Sequence, residues 1–411
     1  MKPIVKSFVF GTACLIILNY STFSVNAENS KSEIKYDDNS MEVSEEMLLQ
    51  ENALSAYKTL YNTFEIDENY NYILPDDYAG EYINDNHELV VQLTTADYSY
   101  YETILSNYDC VEFNTVEYSY NELYQLADRT RCSILDEMDE EIVYVSSKVN
   151  VKDNIAKVEI GIPPSVKKTA FKTNRSNTLP LAIEYTTVEP TNSTSSFLSD
   201  VSYDSTRASA STDLIGGDMI KSYLSTATLG YCGTHNGKNA VITAGHAFSL
   251  NTTVGNGSVN FGVVSYNRYD DQKYGDFCII DLFDYSKCNL TNKVRYKTNT
   301  VNITSTIYSV PAGTVCHKYG EQSTYATIST LGTEDVTYSQ ADGSKITIKG
   351  LISAHLDSGN SQSGDSGGPI YTYENGKWTF CGIHSGHKKS SSEVYFTPYL
   401  YIYGTFTAKT S

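Results

Sequence analysis

The sequence predicts a mostly β protein in its second half, folded as two small barrels, behind an α+β domain. Residues 28–212 carry 34 acidic and 13 basic side chains, whereas residues 213–411 carry 15 of each. Such an asymmetry indicates two domains with different roles. Helix and strand patterns alternate in the first part, while short β-branched runs between Gly, Asn and Asp turns fill the second. A chain of 411 residues is also too long for one compact core.

The first 27 residues have the features of an export signal. Lys2 and Lys6 give a positive start, an apolar run covers residues 8–18, and Ala27 ends a small-residue cleavage motif. The apolar run is too short to span a bilayer, and no later run is longer. We therefore expect a protein that is secreted to the extracellular space without a membrane anchor.

Residues 28–166 are predicted to form the α+β domain. Apolar side chains recur on one helical face over residues 41–62, and the run 87–94 has the composition of a strand. Residues 167–213 are rich in Ser, Thr and Asn and lose periodicity, which is typical of a linker and processing region. Because no basic stripe is available to meet phosphates, nucleic acid is excluded as a partner.

Residues 214–411 are predicted to form the two barrels, over about 214–300 and 301–411. A hairpin is expected around Asn375 and Gly376. The strand patterns between turn residues are Ala240–Thr243, Phe261–Tyr266, Phe277–Leu282, Val301–Val310 and Lys345–Ile352.

Cysteine usage gives no sign of a metal or cofactor site. Cys14 lies in the signal, Cys110 and Cys132 lie in the acidic domain, and no Cys-x-x-Cys or His-x-x-x-His spacing occurs. We therefore expect neither a metal nor a cofactor. Disulfides are expected in an exported protein. The last domain has an odd number of cysteines, so at least one thiol there stays unpaired. The pairing stays open among Cys232, Cys278, Cys288, Cys316 and Cys381.

Three segments of the β region carry residues suited to nucleophilic catalysis. His246 ends a strand pattern in Thr-Ala-Gly-His, Asp276 begins another, and Ser366 lies in the glycine-rich run from Gly364 to Pro369. A serine hydroxyl needs a base to take its proton, an imidazole suits that role, and a carboxylate orients the imidazole. Glycines let the backbone N–H groups of Gly364 and Ser366 face a developing oxyanion. These residues predict a catalytic triad with its oxyanion hole.

Two alternatives bear on these residues. The Ser366 segment also fits Gly-x-Ser-x-Gly, the elbow between strand and helix in α/β-hydrolases. A proline and a hairpin follow this serine instead of a helix, and the order His, Asp, Ser differs from that of those hydrolases. Asp270, Asp271 and Asp281 compete with Asp276 for the acid role. Asp276 is preferred because the apolar strand after it would anchor it.

These motifs resemble those of the chymotrypsin-like serine peptidases, in the bacterial streptogrisin and alpha-lytic protease branch. The segment from Leu214 looks like the start of the mature enzyme, and residues 77–84 and 116–123 resemble the pro-domain. The resemblance implies a double six-stranded β-barrel and a pro-domain that assists folding and then inhibits. It also implies that Lys318 pairs with Asp365 at the oxyanion loop.

The chain departs from the family at two cysteine positions. The family has a cysteine directly after the histidine of the triad, where Ala247 stands here, and another before the serine segment, where Ser361 and Gln362 stand. The usual disulfides are therefore not transferable to this chain.

The strand pattern that ends at Gly386 resembles the wall of the specificity pocket. Glutamate-specific members place a histidine before the serine of this strand, as His384 precedes Ser385, and Ser363 matches a hydroxyl that they use. An imidazole and hydroxyls can hydrogen-bond a buried carboxylate. We therefore expect the pocket to bind the substrate's P1 side chain and to prefer Glu over Asp there. Its expected residues are Ser363, His384, Ser385 and Gly386. Asn360 disfavours a basic P1, and an apolar P1 stays an alternative.

Together these patterns predict a serine endopeptidase made as an inactive precursor, acting as a monomer on protein or peptide substrates. Its further partner is its own pro-domain. The alternative from another class is a catalytically silent binding protein with the same fold. The mark of such a protein would be the loss of a triad residue, and His246, Asp276 and Ser366 are all present.

Overall fold

The structure is a computed structural model that describes most of the chain from residue 43 onward. All of these residues fall within one unit, Tyr36–Ser411. The expected signal peptide and most of the expected linker lie outside the described residues. The described ranges are 43–138, 142–165, 180–188, 213–270, 272–284, 286–339, 344–388 and 391–411.

The N-terminal part is an α+β arrangement. Its helices are α1 (Glu45–Leu49), α2 (Glu51–Tyr61), α3 (Ser99–Leu105) and α4 (Tyr120–Met138). Its strands are β1 (Glu65–Ile66), β2 (Tyr72–Ile73), β3 (Tyr78–Ile83), β4 (Leu89–Leu93), β5 (Val111–Thr115), β6 (Tyr144–Asn150), β7 (Ile155–Ile162) and β8 (Leu181–Thr187). Strands β3, β4 and β5 form one sheet, with β4 in the centre and buried at every position.

The expected helix over residues 41–62 is split into α1 and α2. The Ser44 side chain accepts a hydrogen bond from the Met47 N–H and so caps α1. Helix α2 then buries one apolar face, as its 3.6-residue periodicity predicts. The buried apolar residues of α2 are Ala53, Leu54, Ala56, Tyr57 and Leu60.

Residues 213–302 contribute seven strands to a curled eight-stranded sheet, three strands to a separate sheet, and one short strand, Lys273–Tyr274, to the sheet of the second barrel. The strands are β9 (Asp213–Gly216), β10 (Met219–Lys221), β11 (Thr226–Thr228), β12 (Tyr231–His235), β13 (Lys238–Thr243), β14 (Thr253–Gly255), β15 (Asn260–Asn267), β16 (Lys273–Tyr274), β17 (Cys278–Leu282), β18 (Asn289–Tyr296) and β19 (Asn299–Asn302). The larger sheet has the order β11-β10-β14-β15-β17-β13-β12-β27, where β27 (Thr407–Ala408) comes from the C-terminus.

The second barrel is closed. Its elements are β20 (Ser305–Thr306), β21 (Val315–Gly320), β22 (Thr324–Ser339), β23 (Lys345–Ser358), β24 (Pro369–Glu374), β25 (Lys377–His387) and β26 (Glu393–Pro398), followed by α5 (Tyr399–Tyr403). Six strands run β23-β26-β25-β24-β21-β22, and β22 pairs back to β23. The fold class predicted from sequence is confirmed, with one barrel closed and the other a curled half-barrel.

An aromatic and aliphatic core lies between the two barrels. Tyr231 on β12 stacks on Phe380 of β25, with ring centroids 4.7 Å apart. Ile242 and Phe277 from the first sheet join the same buried cluster as Tyr371 from the second barrel. This core fixes how the strands of one barrel face those of the other.

Two segments differ from the expected pattern. The expected strand Val301–Val310 is interrupted, because its backbone pairs with two different strands. The Ile303 N–H donates to the Asn292 carbonyl on β18, whereas the Ile307 N–H donates to the Phe380 carbonyl on β25 of the second barrel. Residues 181–187, inside the expected linker, form β8, which pairs with β7 in parallel. Apolar side chains of β8 pack on the β6–β7 core, which explains a strand in a segment of weak periodicity.

The N-terminal part continues the sheet of the second barrel. Strand β22 pairs with β6 in antiparallel register, with Val336 opposite Ser146. The sheet then runs on through β7 to β8. A long hairpin of β22 and β23 thus finds a partner for its outer strand, which would otherwise present unpaired backbone groups.

The cysteines of the described residues are all free thiols, so the expected disulfides are not found there. The buried ones act instead as small apolar residues with a weak donor. Cys232 donates to the Leu214 carbonyl, and Cys278 donates to the Ala244 carbonyl. Burial raises the pKa of the Cys232 thiol to about 12. Within the same ranges, no helix is long and apolar enough to cross a membrane.

Glu81 on β3 is a buried carboxyl that makes stability depend on pH. The hydroxyls of Tyr61 and Tyr78 donate to it. Burial raises its pKa from 4.5 to about 7, against the opposing effect of the two tyrosines. The folded state holds this proton more tightly than the unfolded state. The contribution of Glu81 to the free energy of unfolding is therefore largest below about pH 4.5 and is lost as the pH rises through 7.

We expect the substitution Glu81→Gln to abolish the fall in stability that Glu81 causes as the pH rises. Between pH 4.5 and 8 the wild type should lose about 3 kcal/mol of unfolding free energy through this group, and the variant should not. Urea unfolding at the two pH values measures the difference. Glu112→Gln, at an exposed position on β5, serves as control and should keep the wild-type slope. An identical pH slope in both variants would contradict the role given to Glu81.

Candidate active site

His246 lies in a short 3₁₀ turn, Gly245–Ala247, directly after strand β13. The Asn267 side chain donates to the carbonyls of Gly245 and Phe248, each at 2.8 Å, and so holds both ends of the turn. A Cβ at Gly245 would lie 2.8 Å from the Asn267 Oδ1. The turn therefore needs glycine for this approach, and it presents the imidazole at the edge of the first sheet.

Asp276 lies just before strand β17 and is fully buried. Its Oδ2 is 2.7 Å from His246 Nδ1, and its Oδ1 accepts the His246 backbone N–H at 3.0 Å. Its own N–H donates to the Thr397 hydroxyl at 2.8 Å. The carboxylate therefore holds the histidine at both backbone and ring, and Thr397 on β26 holds the Asp276 backbone.

The competing acids are placed differently. Asp281 lies within β17, where its Oδ1 is 2.8 Å from Nδ1 of His235. Asp270 lies in the loop before β16, and Asp271 is outside the described residues. Of the four candidates, only Asp276 has a described contact with His246.

Ser366 lies in the turn between β23 and β24, and its Oγ is 3.0 Å from His246 Nε2. Gly364 and Gly367 on either side have φ of 95° and 88°, which only glycine adopts easily. A Cβ at Gly367 would also overlap the Thr243 hydroxyl. The structure thus brings the three predicted residues together in one chain of hydrogen bonds, from Asp276 through His246 to Ser366.

The serine turn is anchored to the first sheet through Thr228. The Thr228 N–H donates to the Ser366 carbonyl at 2.9 Å, and its hydroxyl donates to the Gly364 carbonyl at 2.7 Å. Both carbonyls therefore point toward β11. The first sheet therefore fixes the backbone of the serine turn at these two positions.

A buried ion pair lies under the same turn. Lys318 Nζ is 2.8 Å from Asp365 Oδ2, and both side chains are fully buried. Three backbone N–H groups, of Gln322, Ser323 and Gln362, also donate to the Asp365 carboxylate. Burial alone would raise the pKa of Asp365, but the Lys318 charge and these donors outweigh it and lower the pKa. The carboxylate is therefore ionised and fully paired.

Three of the predicted pocket residues, His384, Ser385 and Gly386, lie on β25 beside the serine turn, and the fourth, Ser363, lies in the loop before Ser366. The backbones of His384 and the turn are joined twice: Gly367 donates to the His384 carbonyl, and His384 donates to the Gly368 carbonyl, both at 2.7 Å. The His384 ring is fully buried, with Nε2 3.0 Å from the Ser361 hydroxyl. Burial lowers the pKa of His384 well below its usual value, and the Lys318 charge adds to this. The ring is therefore neutral near neutral pH.

Sequence reasoning missed two hydroxyls of this site. Ser361 was noted only for replacing a cysteine, yet it lies between His384 and His387, 3.5 Å from the latter's Nδ1. Thr397 bridges Asp276 to Ser385, whose Oγ is 3.1 Å away. The Ser385 side chain is thus placed toward Asp276. Single hydroxyl residues carry no periodic signal, so neither role was visible in the sequence.

Two family comparisons match this chain. Residues 219–407 match the family described as Trypsin. Residues 42–118 match the family described as Pro-like N-terminal domain. No curated protein matches the chain.

Several solved structures resemble part of the chain. Protease A of Thermobifida fusca is 21% identical with a TM-score of 0.39, covering 48% of this chain and 100% of its own. Cellulomonas bogoriensis chymotrypsin is 20% identical with a TM-score of 0.38, covering 48% and 100%. A glutamic acid specific serine protease, described as using a histidine triad in substrate binding, is 23% identical with a TM-score of 0.38, covering 47% and 100%.

The ion pair under the serine turn predicts a large stability effect. Lys318→Met should lower the free energy of unfolding by about 3–5 kcal/mol, because it leaves the Asp365 charge buried without its cation. Urea unfolding measures this. Lys293→Met, at an exposed position on β18, is the matched control and should change stability by less than about 0.5 kcal/mol. A Lys318→Met variant as stable as that control would refute the assignment of a buried ion pair.

Proposed function

We infer that this chain, a trypsin-like serine protease domain behind a pro-like N-terminal domain, is the precursor of a secreted serine endopeptidase that uses His246, Asp276 and Ser366 as its triad. The observation that carries this inference is the continuous hydrogen-bond chain of these residues, at 2.7 Å and 3.0 Å. Both distances are within the reach needed for proton transfer. The residues 1–27 support export, and the expected site of action is extracellular.

Each residue of the triad has a defined part in the proposed reaction. His246 takes the proton from the Ser366 hydroxyl as the oxygen attacks the scissile carbonyl, and later returns it to the leaving amine. Asp276 fixes the tautomer and stabilises the imidazolium. The developing oxyanion is bound by the N–H groups of Gly364 and Ser366, and each such donor contributes roughly 3–4 kcal/mol to the transition state. No cofactor is needed in this scheme.

For specificity we propose a preference for Glu, and more weakly Asp, at P1. The support is a neutral, buried His384 with a serine hydroxyl beside it, in the wall next to the serine turn. An entering carboxylate would find an imidazole donor and the hydroxyls of Ser361 and Ser363, and Lys318 lies close enough to His384 to lower its pKa. A pocket lined by these groups would leave an apolar P1 side chain facing polar groups that it cannot pair.

The N-terminal domain is proposed as folding helper and inhibitor. Two contacts support this: β6 extends the sheet at β22, and Val188, after β8, packs in the same cluster as Tyr269. The Tyr269 ring lies edge-on to the His246 ring, with centroids 5.8 Å apart. Val188, which lies within the expected processing region, thus shares a cluster with an aromatic residue that contacts the His246 ring. Cleavage after Asp213, the first residue of β9, stays our proposal for maturation to a monomeric enzyme.

The first test is Ser366→Ala. We expect peptide hydrolysis to fall by about 10⁴–10⁶ in kcat and unprocessed precursor to accumulate. Ser323→Ala, which removes a hydroxyl near Lys318 but not the nucleophile, is the control and should remain active. Wild-type hydrolysis by Ser366→Ala would exclude the serine mechanism, and no hydrolysis by the wild type would favour a silent binding protein.

The second test is His384→Val with peptides that differ only at P1. Losing a hydrogen bond to a charged group should lower kcat/KM for P1-Glu by about 10–100-fold and leave P1-Phe nearly unchanged. His355→Val on β23, where the histidine is exposed and bonded to Ser392, should change neither. If wild-type enzyme cleaves P1-Phe faster than P1-Glu, the acidic preference is wrong and the apolar alternative stands.

A further inference from the structure

The junction of helices α1 and α2 fills a gap between two strands of the second barrel. Strands β21 and β24 are paired at His317–Tyr371 and Lys318–Ile370. Just beyond, the fully buried side chain of Gln50 lies between them. Its amide nitrogen donates to the Val315 carbonyl at 2.8 Å and to the Thr372 hydroxyl at 3.1 Å, and its oxygen accepts the Val315 N–H at 2.8 Å. The Gln50 side chain therefore forms with the Val315 backbone the two hydrogen bonds that a neighbouring β-strand would form.

The apolar face of α2 belongs to the core of the second barrel. Leu54 and Tyr57 are in one buried cluster with side chains from all six strands of the closed barrel. The barrel members of this cluster are Cys316, Ile328, Ile352, Ala354, Ile370, Cys381, Val394 and Phe396. Met47 of α1 lies in the core between the two barrels. Removing these helices would expose the apolar interior of the protease itself to water.

Helix α2 also makes polar contacts at the end of β24. We refer to these contacts, together with those of Gln50, as the joint. The carboxylate of Glu374, almost fully buried, accepts from Ser55 at 3.4 Å and pairs with Lys58 at 3.3 Å. The Gly376 N–H in the next turn donates to the Glu51 side chain. Without the helix, Glu374 would lose its only described cation, and a buried carboxylate is costly when unpaired.

The described hydrogen bonds and ion pair of this joint involve none of the proposed triad residues. Thr372, which contacts Gln50, follows Ser366 by six residues, and the last four of them lie in β24. An inhibitor has to reach the catalytic residues, but α1 and α2 contact the far end of β24. Helices α1 and α2 therefore lie where they can support the second barrel, and not where they could block the active site.

We propose that residues 43–61 are a permanent part of the active protease, held on β21 and the β24–β25 turn after the chain is cut in its processing region. The segment then remains as a second, non-covalently bound polypeptide. Inhibition and its relief would concern only the part of the N-terminal domain near His246. This goes beyond the proposed precursor role, in which the whole domain would be dispensable after maturation.

Retention can be tested without relying on activity. In a full-length Ser366→Ala chain, a recognition sequence for a specific protease is inserted between residues 189 and 212 and cut to completion. Size-exclusion chromatography is followed by intact mass measurement of the folded peak. We expect the fragments carrying residues 43–61 and residue 366 to elute together in equal amounts. A folded peak that holds the residue-366 fragment alone, with an unchanged melting temperature, would overturn the proposal.

Variants of the joint, also in the Ser366→Ala chain, test what holds it. Gln50→Ala removes the side-chain partner of the Val315 N–H and one of the two side-chain donors to its carbonyl, so the melting temperature of the cut complex should fall by about 2–4 °C. Leu54→Asp should release the segment or prevent folding. Leu49→Asp, one residue before Gln50 but exposed, is the control. Equal melting temperatures and equal retention for Gln50→Ala and Leu49→Asp would refute the joint.

The two proposals can fail separately. These readouts use protein that lacks the Ser366 hydroxyl, so they report on binding whether or not the wild type hydrolyses peptides. Loss of activity in Ser366→Ala tests the mechanism, whereas co-elution and melting temperature test the joint.

Discussion

The proposed mechanism depends on hydrogen bonds that cross from one barrel to the other. His246 and Asp276 are held by the first sheet, and Ser366 is held by a turn of the second. Thr397 on β26 reaches back to accept the Asp276 N–H, so the second barrel also positions the acid. Proton transfer tolerates little change in these distances. The packed core between the barrels, with Tyr231 stacked on Phe380, is therefore a condition for the chemistry.

The serine turn shows how such precision is obtained in a loop. A glycine-rich turn has few side chains of its own to pack, and its conformation must be imposed from outside. Here the Lys318–Asp365 pair lies beneath it, Thr228 binds two of its carbonyls, and the backbone of His384 binds two of its glycines. In a low-dielectric interior such a network is strong only when every member is paired. The Asp365 carboxylate meets this condition with one cation and three N–H donors.

The same rule explains why the N-terminal part is joined so closely to the protease domain. The second barrel has backbone groups that its own strands do not pair, and other segments complete them. Strand β6 pairs with β22, and the Gln50 amide pairs with Val315. Unpaired buried backbone groups are rarely tolerated in folded proteins. A barrel built in this way relies on the N-terminal part for its hydrogen bonds as well as for its core.

The sequence by itself determined the fold class and identified the three residues that the structure joins in one chain of hydrogen bonds. Period-two strand patterns with Gly and Asn turns specify β structure locally, and Thr-Ala-Gly-His and Gly-Asp-Ser-Gly-Gly-Pro specify tight turns around His246 and Ser366. Only the tertiary structure decided that Thr397 supports Asp276, that Ser361 faces His384, that β8 is a strand and that Gln50 completes β21. These roles depend on groups that are distant in sequence and adjacent in space, with separations of up to 322 residues, between Gln50 and Thr372. A single hydroxyl or amide gains its function from the partner that folding brings to it, and no local pattern encodes that partner.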